Sequence, residues 1–255
     1  MVGLNNSFSQ IAHVYARFNN EAVYQNWLAF TLKQLETFPE RHLDLACGTG
    51  VFTRLMRQFT QDTIAIDYDP KMIEQAQLMN DNQAIDYRTL DMQDISALEG
   101  QFDLVTCYLD SLCFLTDQRQ LQTVFQNVYD KLADKGQFIF DVWTLNQLIS
   151  MDGYYYFEED ASAALLWDTQ LIDDQEPVQV VHKLTVFERN SQETYDRIAV
   201  QLHERTYRLE TYRRMLIEAG FKDENIKLFA DFGGQEISHE SLNDDSERWF
   251  IKAIK

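Results

Sequence analysis

The sequence lacks positive charge. Only 22 lysines and arginines face 41 aspartates and glutamates, so its 255 residues carry a formal net charge of −19. A surface that negative repels phosphate backbones and anionic lipids, which disfavours nucleic acids and membrane surfaces as partners unless a local basic patch compensates. Cysteine is equally sparse: Cys47, Cys107 and Cys113 are odd in number and have no metal-ligand spacing. Neither a disulfide framework nor a zinc site is supported, and reduced, buried thiols are expected. No apolar run reaches the roughly 20 residues of a spanning helix, and residues 1–10 lack the charged start and hydrophobic core of a signal peptide. A cytoplasmic location is the expectation. Internal repeats and low-complexity tracts are absent as well. What is present is a 45% hydrophobic, 13% aromatic chain, enough for a full core in one domain plus an embellishment.

The hydrophobic pattern gives the layout. Val23, Trp27, Phe30, Leu32 and Leu35 fall at near-helical spacing in residues 20–36, predicting an amphipathic helix that Pro39 closes off. From His42 the chain alternates strand-like and helix-like stretches: HLDLA then VFTRLMRQF, TIAID then PKMIEQAQLM, AIDYRTL, FDLVTCY then QRQLQTVFQNVYDKLA, and QFIFDV. This alternation predicts a parallel sheet with helices on both faces. Asp69 before Pro70 reads as a helix N-cap, and Gly136 as the left-handed residue that ends the helix before it. Beyond Val142 the texture changes to YYYFEED, ALLWDTQLI, VQVVHKLTVFER and TYDRIAVQLHERTY, split by polar turns. These read as antiparallel hairpins of an inserted β subdomain. A helix (LETYRRMLIEAGF), a strand near NIKLFADF and a final strand ERWFIKAIK complete the chain.

The stretch LDLACGTG places Asp44, Ala46, Gly48 and Gly50 where a first strand hands over to its helix. In open parallel sheets ligands bind beyond such strand ends, and glycine lets a ligand approach the backbone. Asp67, 17 residues after Gly50, ends the second strand. A carboxylate there can accept hydrogen bonds from both hydroxyls of a ribose; it could also cap a helix, a role that Asp69 fills better. Asp91 falls just past the third strand, where its side chain and the Met92 N–H can read an adenine edge, with Tyr68 able to flank the base. The competing reading of Asp91 is a solvated loop acid. A dinucleotide would want GxGxxG and an uncharged turn facing pyrophosphate. Here Ala46 and Thr53 replace the first and third glycines, and Asp44 would repel phosphate. S-adenosylmethionine carries a sulfonium and an ammonium and no phosphate, and it suits these charges.

The stretches LDLACGTG, AIDYDPKMIEQA, LDMQDI, FDLVTCYLDSLCFL, LADKGQFIFDV and LIEAGF resemble, in order and spacing, the motifs of class I S-adenosylmethionine-dependent methyltransferases. The resemblance covers about residues 8–142 and 207–255. It implies an α/β, Rossmann-like, doubly wound seven-stranded sheet with the last strand antiparallel. The corresponding division is a methyltransferase domain of residues 1–142 and 207–255 with an N-terminal helical cap over 1–38. Residues 143–206 form the inserted antiparallel β subdomain, a substrate lid or dimer contact. FSQIAHVYARFNNEAVYQNWLAF resembles the cap of small bacterial enzymes related to glycine N-methyltransferase-like and sugar N-methyltransferases, in which aromatics matching Tyr15, Tyr24 and Trp27 lie over the methionine end of the cofactor. Core packing is the alternative for Trp27. By the same resemblance, Asp44 and the backbone of Ala46, Gly48 and Tyr108 hold the amino-acid moiety beside Gly50, Asp67 the ribose, and Asp91 with Met92 the adenine. The chain departs from the family at Ala46 and in having Tyr15-Ala16 where a Tyr-Asp pair is common.

Methyl transfer from a sulfonium is an in-line displacement on an activated carbon, so positioning matters more than any catalytic side chain. Candidates on the acceptor side are Asp110 and Ser111, after the fourth strand, and His203, Arg205 and Tyr207 at the end of the insertion. His203 could titrate near neutrality as a base, although a lone strand histidine is more often surface or packing. An amino-methylating DNA enzyme would present a Pro-Pro stretch after the fourth strand to clamp a flipped base; this chain has CYLD there, and Cys107, inside the strand pattern, is misplaced for C5 chemistry. The expected activity is methylation of an N or O atom of a small molecule, without metal, by a monomer or by a homodimer paired through strands of 154–207. A regulatory protein that binds the cofactor without turnover, a nucleic-acid methyltransferase and an NAD-type oxidoreductase stand as alternatives.

Overall fold

A computed structural model describes residues 8–12, 14, 21–80, 84–115, 117–233, 236–237 and 246–255. After a single 3-10 turn (Phe8–Gln10), the described chain runs through helix α1 (Glu21–Gln34) and then alternates β1 (Arg41–Leu45), α2 (Val51–Met56), β2 (Asp62–Asp67), α3 (Pro70–Leu78), β3 (Ile85–Thr89), β4 (Phe102–Cys107), α4 (Gln118–Lys131) and β5 (Leu132–Trp143). A short helix α5 (Leu145–Ser150) leads into β6 (Tyr155–Glu159), β7 (Ala163–Asp173), β8 (Val178–Arg189) and β9 (Tyr195–Thr206), and α6 (Leu209–Glu218), β10 (Ile226–Ala230) and β11 (Arg248–Ile254) follow.

Seven strands form one sheet in the order β10-β11-β5-β4-β1-β2-β3. Only β11 runs against its neighbours β5 and β10, so the last strand is the antiparallel one. Both faces are covered, as near-continuous apolar strands such as FDLVTC demand. On one face Leu43, Ile64, Val105 and Phe140 pack with Phe125 and Val128 of α4 and Tyr212 and Leu216 of α6. On the other, Leu104, Ile139 and Phe250 meet Trp27 and Phe30 of α1 and Phe52 and Met56 of α2. The strand order reverses between β1 and β4, which opens a crevice at their carboxyl ends.

The second sheet is a four-stranded antiparallel meander, β6-β7-β8-β9. Alternation puts Leu165, Leu184, Val186, Val200 and Leu202 on one face, where Ile11, Val14 and Phe114 cover them. The Thr206 hydroxyl donates to the Trp143 carbonyl at 2.6 Å, tying the end of β9 to the end of β5.

Local chemistry sets the element ends. The Asp69 side chain accepts from the Lys71 N–H with Pro70 in the first turn of α3, and Asp117 with Gln120 forms a capping box on α4. One expected stop is placed differently. Helix α4 ends at Lys131 and passes straight into β5, and the left-handed residue there is Lys135, with φ 63°, not Gly136. The β4–β5 pairing jumps from Phe102↔Leu132 to Leu104↔Gln137 at that point, and a Cβ on Gly136 would sit 2.8 Å from the Phe102 carbonyl oxygen. Close approach of backbone in a bulge, rather than a helix cap, is what requires the glycine.

Candidate cofactor and acceptor site

The crevice begins at the β1–α2 turn. Three of its residues have positive φ: Ala46 at 52°, Gly48 at 55° and Gly50 at 73°. Gly50 is needed twice over, since a Cβ there would also come within 2.4 Å of the Tyr87 hydroxyl. Ala46 holds a left-handed conformation that costs an L-residue about 1–2 kcal/mol. The turn is kept in shape by Asp67 at the end of β2, whose carboxylate accepts the Gly48 N–H at 2.9 Å and the Asp69 N–H at 2.8 Å. Each oxygen keeps a second lone pair for an incoming hydroxyl.

Asp44 is 3% exposed at the end of β1. Its two oxygens accept from the hydroxyls of Thr53 at 2.5 Å and Thr106 at 2.8 Å. Because Thr106 spends its proton on Asp44, it can only accept from the His42 ring nitrogen 2.8 Å away, which fixes the His42 proton on Nε2. Burial pushes the Asp44 carboxyl up to about 6 despite these hydroxyls, and burial raises Asp67 to about 6 despite its backbone donors. Among the described residues no cation pairs with Asp44. A buried carboxylate with hydroxyl donors and no cationic partner is suited to a ligand ammonium.

The remaining expected residues fall in different surroundings. Asp91 is half-buried and accepts the Gln93 N–H at 2.8 Å, Met92 packs on the main core, and Tyr68 is 76% exposed beside Asp67. Tyr108 is buried after β4, its hydroxyl sharing a 2.7 Å hydrogen bond with Thr31 of α1. Tyr24 and Trp27 lie in the core between α1, α2 and the sheet, and the Trp27 indole N–H donates to Asp141 at 3.3 Å. Tyr15 lies outside the described residues. Of the thiols, Cys107 and Cys113 are free and buried, but Cys47, in the turn itself, is half-buried.

On the acceptor side Leu109 and Asp110 have φ of 57° and 53°, two successive left-handed residues of the kind that store strain at functional sites. Ser111 donates to the Tyr108 carbonyl at 2.8 Å. Asp110 accepts from Arg248 at 2.8 Å, the same guanidinium nitrogen binds Asp141, and the guanidinium carbon lies 3.5 Å from the Trp143 ring centroid. Burial holds Asp141 up at about 6 even with Arg248 beside it. Tyr207 is buried against Tyr212, ring centroids 5.8 Å apart, and Arg205 is half-buried.

The structure does not bring His203 into this group. It is exposed, on the face of β9 opposite its buried neighbours Leu202 and Glu204. The buried polar pair of the second sheet is instead Glu204 with His182 of β8, neither of which sequence reasoning selected. Period-two alternation was the available signal: Glu204 shares a face with Val200 and Leu202, and His182 with Val180 and Leu184.

Three comparisons bear on this crevice. Residues 43–136 match the family described as "Methyltransferase domain". The "Putative methyltransferase YqeM" of Bacillus subtilis (strain 168) is 30% identical over 252 residues, covering 97% of either chain. Among solved structures, a S-adenosylmethionine-dependent methyltransferase from Clostridium acetobutylicum superposes with TM-score 0.76 at 23% identity over 97% of this chain and 98% of that one. The sugar N-methyltransferase KedS8 from Streptoalloteichus gives TM-score 0.75 at 15% identity over 100% and 96%; these two likenesses are of fold.

Proposed function

Because the chain belongs to the S-adenosylmethionine-dependent methyltransferases, we propose that it transfers a methyl group to an N or O nucleophile of a small molecule. The observation that carries the placement of the cofactor is Asp44, a buried carboxylate held by two hydroxyls and with no cation beside it among the described residues. In this reading Asp44 receives the methionine ammonium beside the backbone of Ala46, Gly48 and Tyr108, Asp67 accepts the ribose hydroxyls, and Asp91 with Met92 meets the adenine. Tyr24 and Trp27 act from the core rather than through open ring faces, α1 being fixed over the crevice by Trp27 on Asp141 and Thr31 on Tyr108.

When bound, the cofactor supplies an electrophilic methyl on a positively charged sulfur. The work left to the chain is orientation and exclusion of water. The glycine turn and Asp67 set the ribose end, Asp44 anchors the amino-acid end, and Leu109–Asp110 presents side chains toward the acceptor. The second sheet, with the residues of the N-terminal cap that pack on it, forms the acceptor-side wall. A charge of −19 and the absence of prolines in CYLD favour a small acceptor over nucleic acid. No helix among the described residues is long and apolar enough to cross a membrane; a cytoplasmic monomer or homodimer fits this reading.

The test is incubation of the purified protein with methyl-labelled S-adenosylmethionine and a metabolite extract passed through an ultrafilter. Label in a small product supports the proposal. Cofactor binding without transfer to any extract would make the protein a sensor, and transfer only to the retained macromolecules would move the acceptor class.

A further inference from the structure

Two unpartnered polar atoms meet where the second sheet touches the end of β4. Glu204 on β9 and His182 on β8 are 4% and 3% exposed. Their nearest atoms, Oε2 and Nε2, lie 3.5 Å apart, and among the described residues neither makes a hydrogen bond. The orientation of His182 is set from behind, because the Trp167 indole N–H donates to Nδ1 at 3.1 Å and Thr169 lies 2.8 Å from the same atom. An indole can only donate, so Nδ1 accepts and the ring proton sits on Nε2, facing Glu204. On the other side, the Asp110 carboxyl comes within hydrogen-bonding range of Glu204. Burial, then the like charge of Asp110, pushes the Glu204 carboxyl above the ordinary carboxylate range.

Among the described residues, the charged or titratable groups facing this pair can be named. His182 comes from β8 and Cys113 from the turn after Asp110. Arg248 of β11, shared with Asp141 of β5, holds Asp110. Helix α5 and the Phe8–Gln10 turn also touch β9 and carry no titratable side chain. Among the described residues, three carboxyls set against one guanidinium leave the junction negative.

We propose that the Asp110–Glu204 carboxyl pair is the proton acceptor for methyl transfer, and that the acceptor molecule is an amine that arrives protonated. The proposal rests on the transferase reading above. An ammonium N–H supplies Glu204 Oε2 with a closer donor than the His182 Nε2–H, which stands 3.5 Å away. That N–H bond breaks as an O–H bond forms on Glu204, and the freed nitrogen lone pair makes the N–C bond while the C–S electron pair stays on sulfur. Water then takes the proton from Glu204. As the N–C bond forms, positive charge returns to the nitrogen in front of the remaining carboxylates, which stabilises the transition state relative to the deprotonated amine. A hydroxyl acceptor would instead have to become anionic in the same negative field, which disfavours it.

Two measurements test this. A metabolite extract is treated with acetic anhydride and then hydroxylamine, which blocks amines and reopens phenol esters, and is compared with untreated extract as acceptor of the labelled methyl group. Transfer should fall to the level of an extract-free control. The second is E204Q, checked for S-adenosylhomocysteine binding and thermal denaturation. It should lose about 100-fold in transfer rate, with the acid limb of its pH profile displaced. In infrared difference spectra taken on either side of neutrality it should also lose a protonated-carboxyl band that the unaltered protein shows, a readout independent of turnover. Transfer that survives acetylation, no transfer to untreated extract, or an E204Q profile and spectrum matching the unaltered protein each overturn the proposal. Failure of the unaltered protein to bind S-adenosylhomocysteine overturns the transferase reading instead.

Discussion

Lowering the pH from 7 to 5 should weaken cofactor binding about 100-fold. Asp44 and Asp67 are both held up at about 6 by burial, and both must be ionised to receive an ammonium and two hydroxyls. At pH 7 each is about nine-tenths ionised, so affinity is nearly level above that point. At pH 5 each is about nine-tenths protonated, and regaining the charge on binding costs roughly 1.4 kcal/mol per group, or about 2.7 kcal/mol for the two. The sign follows from linkage. Burial raises both carboxyls above their unfolded value of 3.8, so the cofactor-free fold is strained by their charge above about pH 6 and relieved below it, while the complex shows the opposite preference. The assay is calorimetric titration of S-adenosylhomocysteine at half-unit steps between pH 5 and 7.5. Asp44→Asn should bind more weakly at pH 7 but lose only about tenfold further by pH 5, because one of two titrations is gone. A dissociation constant that changes less than threefold across this range in the unaltered protein would refute the reasoning.

Ala46 sits at φ 52°, so Ala46→Gly should stabilise the protein. The relief of about 1–2 kcal/mol exceeds the added unfolded-state entropy, leaving roughly 0.5–1 kcal/mol, visible as a rise of about 1–4 °C in thermal denaturation; a fall would show the turn to be unstrained. Arg248→Met leaves Asp110 and Asp141 buried without their cation and should cost about 3–5 kcal/mol in denaturant unfolding at pH 8. The loss should shrink below about pH 6, where Asp141 is protonated; a loss independent of pH would show that the guanidinium acts by packing alone.

The sheet was legible because most of its strands are apolar runs ending in a turn signal, with β3 (IDYRT) the exception, and Asp44, Asp67 and Asp91 announce three successive strand ends. Gly136 misled because glycine serves a helix stop and a bulge equally well, and only the β4–β5 register separates them. The acceptor side was harder to read. His203 drew attention by residue type, yet strand alternation exposes it and buries Glu204, whose partners Asp110 and His182 lie 94 and 22 residues away in the chain. Arg248 was invisible for the same reason: its two carboxylates come from β5 and the loop after β4, and nothing local marks it as their shared cation. Contacts made across sheets leave no spacing in sequence.

The most direct measurement is calorimetric titration of S-adenosylhomocysteine into the unaltered protein and into Asp67→Asn. Asparagine keeps one acceptor oxygen where Asp67 now takes both the Gly48 and Asp69 N–H groups, so the fold should survive while the charged ribose acceptor is lost. The expected result is saturable one-site binding, weakened about tenfold to 100-fold by the substitution, as befits one or two charge-assisted hydrogen bonds. Equal affinity in the two proteins, or no binding to either, would contradict the placement of the cofactor in this crevice.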